Sequence, residues 1–322
     1  MLTGISGLDH LLGGGLPLGT VTLFSDIPHS DLERGQSYSL LLAQYFLAEG
    51  CFHRHKIFHG HVKPNQLQLP AIIGSNSEDT SKSKNDDKEL QIAWRYKDQA
   101  PKSDELTGTV KNHHFNLNKV MPNETYSDLL TSWHFDLTLT DASKSENHYA
   151  KLFKSISDAA KAFEIDPKKP ATNMLRINLT EIGGIVFGQE LESLLFFLYR
   201  LRALARSHLI VIALCLSSDF LSVNEIGSSK HQKVLELVDF GIDVTAFGKS
   251  ERESGLFKDH HGIIEISKAA PLNCLQNQSN VNNVKTKHLF KSLRTKFSIS
   301  PMHLPPDSDV SQATDSIKSL EF

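Results

Sequence analysis

The sequence predicts an α/β fold in which a mostly parallel, twisted sheet is flanked by helices. Residues 21–25 (Val-Thr-Leu-Phe-Ser) are a short apolar run after a glycine- and proline-rich turn, which is typical of a buried strand. Residues 21–59 read as strand, loop, helix and strand, the βαβ unit of a parallel sheet. Residues 209–216 (Leu-Ile-Val-Ile-Ala-Leu-Cys-Leu) are continuously apolar, as expected for a strand at the centre of such a sheet.

The composition fits a globular protein of a reducing compartment. The 322 residues, 39% of them hydrophobic, can build one large domain or two small ones. A formal net charge of -3 excludes a globally basic nucleic-acid binder, so any basic surface must be local. The three cysteines are far apart and odd in number, which indicates no disulfide framework. Since no secretory signal or membrane span is visible, we expect an intracellular protein.

The first βαβ unit can be followed residue by residue. A helical pattern covers residues 36–49, and Gly50 follows where a C-cap glycine is expected. Residues 56–59 read as the second strand. The cluster Gly13-Gly14-Gly15 precedes the first strand instead of following it, so it predicts a tight turn and not a dinucleotide-binding loop.

The remaining elements are separated by a polar insertion. Residues 74–88 are almost entirely polar and are expected to be disordered, and residues 90–96 then alternate as a strand does. The later segments follow helical or strand periodicity: helix 149–163, strand 174–179, helix 190–206, strand 209–216 and strand 263–267. The prediction is therefore a large domain over residues 1–270.

Residues 271–322 are predicted to form a basic C-terminal segment and a polar tail. Basic residues alternate here with apolar ones; they are Lys285, Lys287, Lys291, Arg294 and Lys296, with Leu289, Phe290, Leu293 and Phe297 between them. One interpretation is an amphipathic element with a basic face toward RNA or an acidic partner. The other is the ordinary solvated face of a final helix.

The loop after the first strand lacks the residues of a phosphate-binding loop. That motif requires Gly-Lys-Ser/Thr, whose lysine and hydroxyl meet phosphate and magnesium. Residues 26–37 instead read Asp-Ile-Pro-His-Ser-Asp-Leu-Glu-Arg-Gly-Gln-Ser, with carboxylates where a triphosphate would lie. The sequence therefore predicts a degenerate nucleotide loop that contacts a neighbouring subunit. Its candidate residues are Asp26, His29, Ser30, Asp31 and Arg34.

No other motif predicts catalysis or metal binding. Strand 174–179 should end in a magnesium-binding Asp but continues through Asn178 and Thr180. His59 and His61 would share one face of a strand, close to His53 and His55. A metal site is possible there, but the spacing favours surface histidines. No catalytic residue, metal or cofactor is predicted.

Several motifs together resemble the PAXNEB family, the fourth subunits of the Elongator complex. The opening Thr3-Gly4-Ile5-Ser6-Gly7-Leu8-Asp9 is similar to that of RecA-type ATPases. The more specific matches are Tyr45 to Gly50, Ile92 to Tyr96, Leu175 to Ile177, Phe197 to Arg202, Leu289 to Phe297 and His303 to Asp307. One stretch departs from the family pattern, since Leu-Gly-Ser-Pro-aromatic is replaced by Ile182 to Gly188.

The resemblance implies a RecA-like fold and a non-catalytic, accessory role. It implies a heterohexameric ring with Elongator subunits five and six that binds tRNA and supports modification of the wobble uridine, U34, in the cytoplasm and nucleus. ATPase activity, if any, would belong to the assembled ring. Two alternatives remain open: an independent RecA-type ATPase with a divergent loop, and a scaffold whose partners alone contact RNA.

In a RecA-like ring, the loops after the strands face the central channel. The candidate loops are residues 182–189 and 217–233, and the alternative is that they are mobile surface loops. The residues predicted to contact tRNA are Lys230, His231, Lys233, Lys291 and Arg294.

Overall fold

A computed structural model describes most of the chain. The residues that it describes are 1–28, 37–62, 67–72, 115–134, 148–166, 173–187, 190–218, 220, 229–248, 257, 259–269, 287–293 and 296–302. In chain order the elements are α1 (Ser6–Leu11), β1 (Thr20–Asp26), α2 (Tyr38–Phe52), β2 (Lys56–His61), β3 (Pro70–Ile72), β4 (Phe115–Val120), β5 (Leu130–His134), α3 (His148–Ala160), β6 (Leu175–Ile182), α4 (Leu191–Ser207), β7 (Ile210–Leu216), α5 (Ser229–Leu237), β8 (Phe240–Ala246), β9 (Gly262–Ala269), β10 (His288–Ser292) and β11 (Phe297–Pro301).

The main sheet has nine strands in the order β11-β10-β9-β8-β1-β7-β6-β2-β5. The strands from β8 to β5 are parallel. Strands β9, β10 and β11 extend one edge in antiparallel fashion. Strands β3 and β4 form a separate antiparallel pair. This mostly parallel sheet flanked by helices is the RecA-like α/β fold that the sequence predicted.

Helices cover both faces of the sheet and create two apolar layers. One face packs against α1, α2 and the small β3–β4 sheet. The other face packs against α3, α4 and α5. Strand β7 contributes alternate side chains to each layer, for example Val211 to the first and Ile212 to the second. Burial on both faces explains why this strand is continuously apolar.

Most predicted elements within the described residues are confirmed, but some details differ. Gly50 does not end a helix, because α2 continues to Phe52. A Cβ atom at Gly50 would lie 2.6 Å from Cδ of Arg176, so the glycine makes room for a buried side chain. The last five residues of the proposed loop 217–233 are helical, since α5 begins at Ser229. The short helix α1 was not predicted.

The C-terminal segment forms strands instead of a final helix. Strand β10 pairs with β9 and β11, and the buried Phe290 stacks on Phe297 with ring centroids 5.3 Å apart. The first three residues of β10, His288, Leu289 and Phe290, are buried, and Lys291 and Ser292 are half-buried. Insertion 74–88, segment 90–96 and the boundary at residue 270 lie outside the described residues and remain predictions. No described helix is long and apolar enough to cross a membrane.

Candidate functional site

The carboxyl ends of the parallel strands lie along one edge of the sheet. Open α/β sheets bind ligands at this edge, where the loops after the strands converge. Here β1 ends at Asp26, β6 at Ile182, β2 at His61 and β5 at His134. The predicted nucleotide loop follows β1 and precedes α2, so it belongs to this edge.

The carboxylate of Asp26 occupies the N-terminus of α2. Its Oδ1 accepts a hydrogen bond from the amide of Ser39 at 2.9 Å. Its Oδ2 accepts from the hydroxyls of Ser39, at 2.7 Å, and Ser37. Ser37 is the N-cap residue, and its Oγ accepts from the amide of Leu40 at 3.3 Å. The chain therefore satisfies this helix end with its own side chains.

This arrangement works against phosphate binding at the same helix end. A helix N-terminus attracts anions because its amides are unpaired and its dipole is positive there. Asp26 already supplies the anion, and its charge would repel a phosphate by about 1 kcal/mol at 4 Å in water. The misplaced charge is visible in the sequence, and Ser37-Tyr38-Ser39 before an apolar helix is the signal by which the cap could have been predicted.

The rest of the predicted nucleotide loop lies outside the described residues. Of the five candidates, the structure describes Asp26 alone, and it caps α2. His29, Ser30, Asp31 and Arg34 remain predictions.

Polar side chains on β2 and β6 line the sheet near the same edge. Asn178 Nδ2 lies 3.3 Å from Nδ1 of His59, and both side chains are buried. The hydroxyl of Thr180 donates to the carbonyl of Gly60 at 3.4 Å. Burial lowers the pKa of His59 to about 4, so its imidazole is neutral near pH 7. An amide and a neutral imidazole thus lie near the end of β6, where the phosphate-binding fold requires a carboxylate for magnesium.

Three histidines stack from the interior toward solvent at this edge. The ring centroids of His59 and His61 are 5.1 Å apart, and those of His61 and His134 are 6.0 Å apart. The prediction that His59 and His61 share one face is confirmed. His53 stacks instead on His55, at 5.5 Å. Across the described part of the chain, no three His, Cys, Asp or Glu side chains come together as a metal site would require.

The predicted RNA-contacting residues divide between α5 and β10. Lys230, His231 and Lys233 lie on the first two turns of α5, where Lys233 is exposed and Lys230 half-buried. The side chain of His231 is only 12% exposed, with Nε2 3.4 Å from Oδ1 of Asp243. Lys291 lies on β10 and is half-buried. Arg294 is outside the described residues.

Two buried charges that were not predicted hold the elements together. Arg176 on β6 is fully buried, and its Nη1 donates to the carbonyls of Phe46 and Leu2 at 2.7 and 3.1 Å. Asp239 before β8 accepts from Arg202 at 3.0 Å and Arg206 at 2.6 Å. The signal for Arg176 was present, since a charged residue interrupts the apolar strand Leu-Arg-Ile.

The sequence profile of one family, described as PAXNEB protein, matches residues 1–321. The chain is also similar to three proteins named Elongator complex protein 4. It is 30% identical to that of Danio rerio over 95% of this chain and 81% of the relative. It is 32% identical to that of Mus musculus and 31% identical to that of Homo sapiens, in both cases over 95% of this chain and 76% of the relative.

Proposed function

We propose a function from one premise: the chain belongs to the PAXNEB family. It acts as a subunit of the Elongator complex, the assembly for which its relatives are named. Its partners are Elongator subunits five and six, with which it builds a heterohexameric RecA-like ring. The ring binds tRNA and supports modification of the wobble uridine U34. The chain works in the cytoplasm and the nucleus.

The cap at α2 is the observation that carries the non-catalytic part of this proposal. Asp26, Ser37 and Ser39 hydrogen-bond to one another where a phosphate-binding loop would present free amides. A nucleotide phosphate would have to displace these bonds and approach a carboxylate. A subunit that retains the sheet but has lost this site serves as scaffold and contact surface, and any ATP turnover belongs to the assembled ring.

The proposed tRNA contact uses the basic side chains near the ring channel. Exposed Lys233 and half-buried Lys230 on α5 suit contacts to the phosphate backbone, which need cations but no base readout. Lys291 and Arg294 form the second group of basic residues that we propose to contact tRNA. His231 is the weakest of the five, because its side chain is mostly buried beside Asp243.

Mass measurement of the purified assembly tests this function. We expect the full chain, co-expressed with subunits five and six, to give a particle with two copies of each subunit that gains the mass of bound tRNA. If the three chains do not co-purify in equal amounts, the proposed function is wrong. Turnover of ATP by the isolated chain, abolished by Arg34→Ala, would instead support an independent ATPase.

Charge reversal tests the tRNA contact. With Lys230, Lys233, Lys291 and Arg294 changed to Glu, we expect weaker tRNA binding and a shallower dependence of log Kd on log salt, since fewer counterions are released. Lys161→Glu, in the exposed turn after α3, is the matched control. Unchanged affinity and unchanged salt slope would mean that the partners alone contact tRNA.

A further inference from the structure

The outward face of α4 carries large aromatic side chains instead of polar ones. Phe196 is 62% exposed and Tyr199, one turn later, is 63% exposed. Ala203, one further turn along, is also exposed. A surface helix normally places polar residues on this stripe, since its apolar stripe faces the core. The buried side of α4 is already complete, with Leu194, Leu198 and Leu201 in the core.

A groove runs beside these aromatic rings, between α3 and α4. Its volume is about 260 Å³, and it is lined by Tyr149, Ala150, Glu192, Ser193, Phe196, Phe197 and Arg200. The ring centroids of Tyr149 and Phe197 are 5.0 Å apart. The groove has an apolar part formed by the aromatic rings and a polar part formed by Glu192, Ser193 and Arg200, and it can take one or two aliphatic or aromatic side chains.

Arg200 presents a charge for which the described residues supply no acceptor. Its guanidinium lies over the ring of Phe153, with the carbon 3.8 Å from the centroid, and 5.7 Å from the centroid of Phe196. Within the part of the chain that the structure describes, Arg200 makes no hydrogen bond or ion pair. Stacking holds the guanidinium in place while its N–H donors stay available, a geometry suited to binding a carboxylate.

We propose that Phe196, Tyr199 and Arg200, called the α4 face below, bind a neighbouring protein of the assembly. The bound segment carries an apolar anchor that fills the groove and an adjacent Asp or Glu that pairs with Arg200. This inference rests on the proposed function, which supplies the neighbour, and adds the surface and the chemistry of the contact. Exposed aromatic and arginine side chains next to an apolar pocket are the residues that dominate protein interfaces.

Charge favours a protein over RNA at this surface. Aromatic rings and arginine can also bind bases and phosphates. Glu192 lines the same groove, however, and its carboxylate would repel a phosphate backbone there. An acidic protein segment avoids this conflict because its single carboxylate can face Arg200 while its apolar anchor covers the groove.

Substitutions on the exposed face separate binding from folding. We would compare Phe196→Ser/Tyr199→Ser and Arg200→Glu with Ile165→Ser and Lys161→Glu, which change an exposed apolar residue and an exposed cation elsewhere. Circular dichroism and thermal melting of the full chain check that each variant folds. The affinity of each variant for co-purified subunits five and six is then measured by titration.

We expect the double variant to bind these subunits about 100-fold more weakly and Arg200→Glu about 10-fold more weakly, with both controls unchanged. The deficit of Arg200→Gln should shrink as salt rises, because an exposed ion pair is screened. A photoreactive p-benzoylphenylalanine at position 203 should cross-link a peptide of a neighbouring subunit that contains an acidic residue beside an apolar one.

Several results would overturn the inference. If variants of the α4 face assemble normally, the face does not bind a neighbour, while the proposed function stands. Weaker tRNA binding with normal assembly would show an RNA surface instead. Dimers of the isolated chain that the double variant dissociates would identify a second copy as the occupant. If the unaltered chain fails to assemble with subunits five and six, the proposed function falls, and the inference with it.

Discussion

The buried Arg176 links β6 to α2 and to the segment between α2 and β2. Arg176 on β6 donates from Nε to Nδ1 of His55 at 3.0 Å and from Nη1 to the carbonyl of Phe46 at 2.7 Å. Its guanidinium carbon also lies 4.7 Å from the ring centroid of Phe46. Burying a charge is costly unless it is hydrogen-bonded, and the three hydrogen bonds from Arg176 to His55, Phe46 and Leu2 therefore hold these segments in place.

Gly50 is the residue that admits this arginine, and Gly50→Ala tests the fit. Alanine would favour the helix by about 1 kcal/mol. The added methyl group would meet Cδ of Arg176 at 2.6 Å and Nε at 3.0 Å, in a side chain that hydrogen bonds hold in place. Overpacking typically costs about 1–3 kcal/mol, so we expect a net loss of up to about 2 kcal/mol in urea unfolding. Gln44→Ala on the same helix is the control, and a Gly50→Ala protein more stable than the original would contradict the prediction.

His59 predicts a loss of stability on acidification. Burial, together with the smaller effect of the nearby His61, lowers its pKa from 6.5 to about 4. Between these values the unfolded chain binds more protons than the folded chain. Stability is therefore fully present above pH 6.5 and is lost as pH falls toward 4, by up to about 3 kcal/mol.

The test compares His59→Asn with the original chain by urea unfolding at pH 7 and pH 5. We expect the variant to lose less stability between the two pH values. The losses of the variant and of the original chain must be compared with each other, because other groups also change the stability between pH 7 and pH 5. Acidification destabilises the folded chain through His55 and stabilises it through Asp9, whose pKa burial raises to about 6. Equal losses in both proteins would mean that His59 does not titrate as its burial requires.

At the scale of elements, two helix ends are held by carboxylates that lie at or next to the ends of strands. Asp26 at the end of β1 caps the start of α2. Asp239 accepts hydrogen bonds from Arg202 and Arg206 in the C-terminal half of α4. It also accepts a hydrogen bond from the amide of Val21 in β1, at 3.0 Å, and thereby joins α4 to the start of β1. Each carboxylate lies near cations or helix amides, so both helices are fixed relative to the sheet.

Asp239→Asn tests the anchor of α4. The side chain of Asp239 is fully buried, whereas Arg202 and Arg206 are 34% and 40% exposed. Removing the charge leaves both arginines unpaired and should lower the unfolding free energy by about 2–4 kcal/mol, somewhat less than for a fully buried pair. Glu236→Gln, at an exposed position of α5, is the matched control. If the two variants unfold at the same urea concentration, the ion pairs do not stabilise α4.

At the scale of the whole molecule, the antiparallel strands extend the parallel sheet at one edge. Phe290 on β10 is fully buried, and its ring centroid is 4.7 Å from that of Tyr38 on α2. Residues far apart in the sequence thus share one apolar layer.

Phe290→Ala tests whether this packing makes the C-terminal strands part of one cooperative unit. Loss of a buried phenylalanine costs about 3–5 kcal/mol. If β10 unfolds together with the parallel strands, we expect one urea transition for the full chain, with its free energy of unfolding lowered by that amount. Leu293→Ala, at a 43% exposed site, should have little effect. A separate early transition, with the main one unchanged, would favour two independent units.

The sequence by itself determined the elements whose periodicity is strong. Three elements were predicted correctly: the apolar strand β7, the amphipathic helix α3 and the βαβ unit at the start of the chain. Burial on one or both faces of an element produces a regular pattern of apolar residues, which can be detected in the local sequence. The motif matches likewise indicated the family, and the missing Gly-Lys-Ser/Thr indicated that the nucleotide loop is degenerate.

Only the tertiary structure decided where isolated residues point and what they meet. Gly50 reads as a helix end until Arg176, 126 positions later, lies against it. The sequence around Phe290 and Lys291 was compatible with a final helix, and only the pairing of β10 with β9 and β11 shows that it is a strand. The exposure of Phe196 and Tyr199, at 62% and 63%, became visible only once α4 was packed on the sheet. In each case the deciding contact comes from a distant part of the chain, and local periodicity carries no information about it.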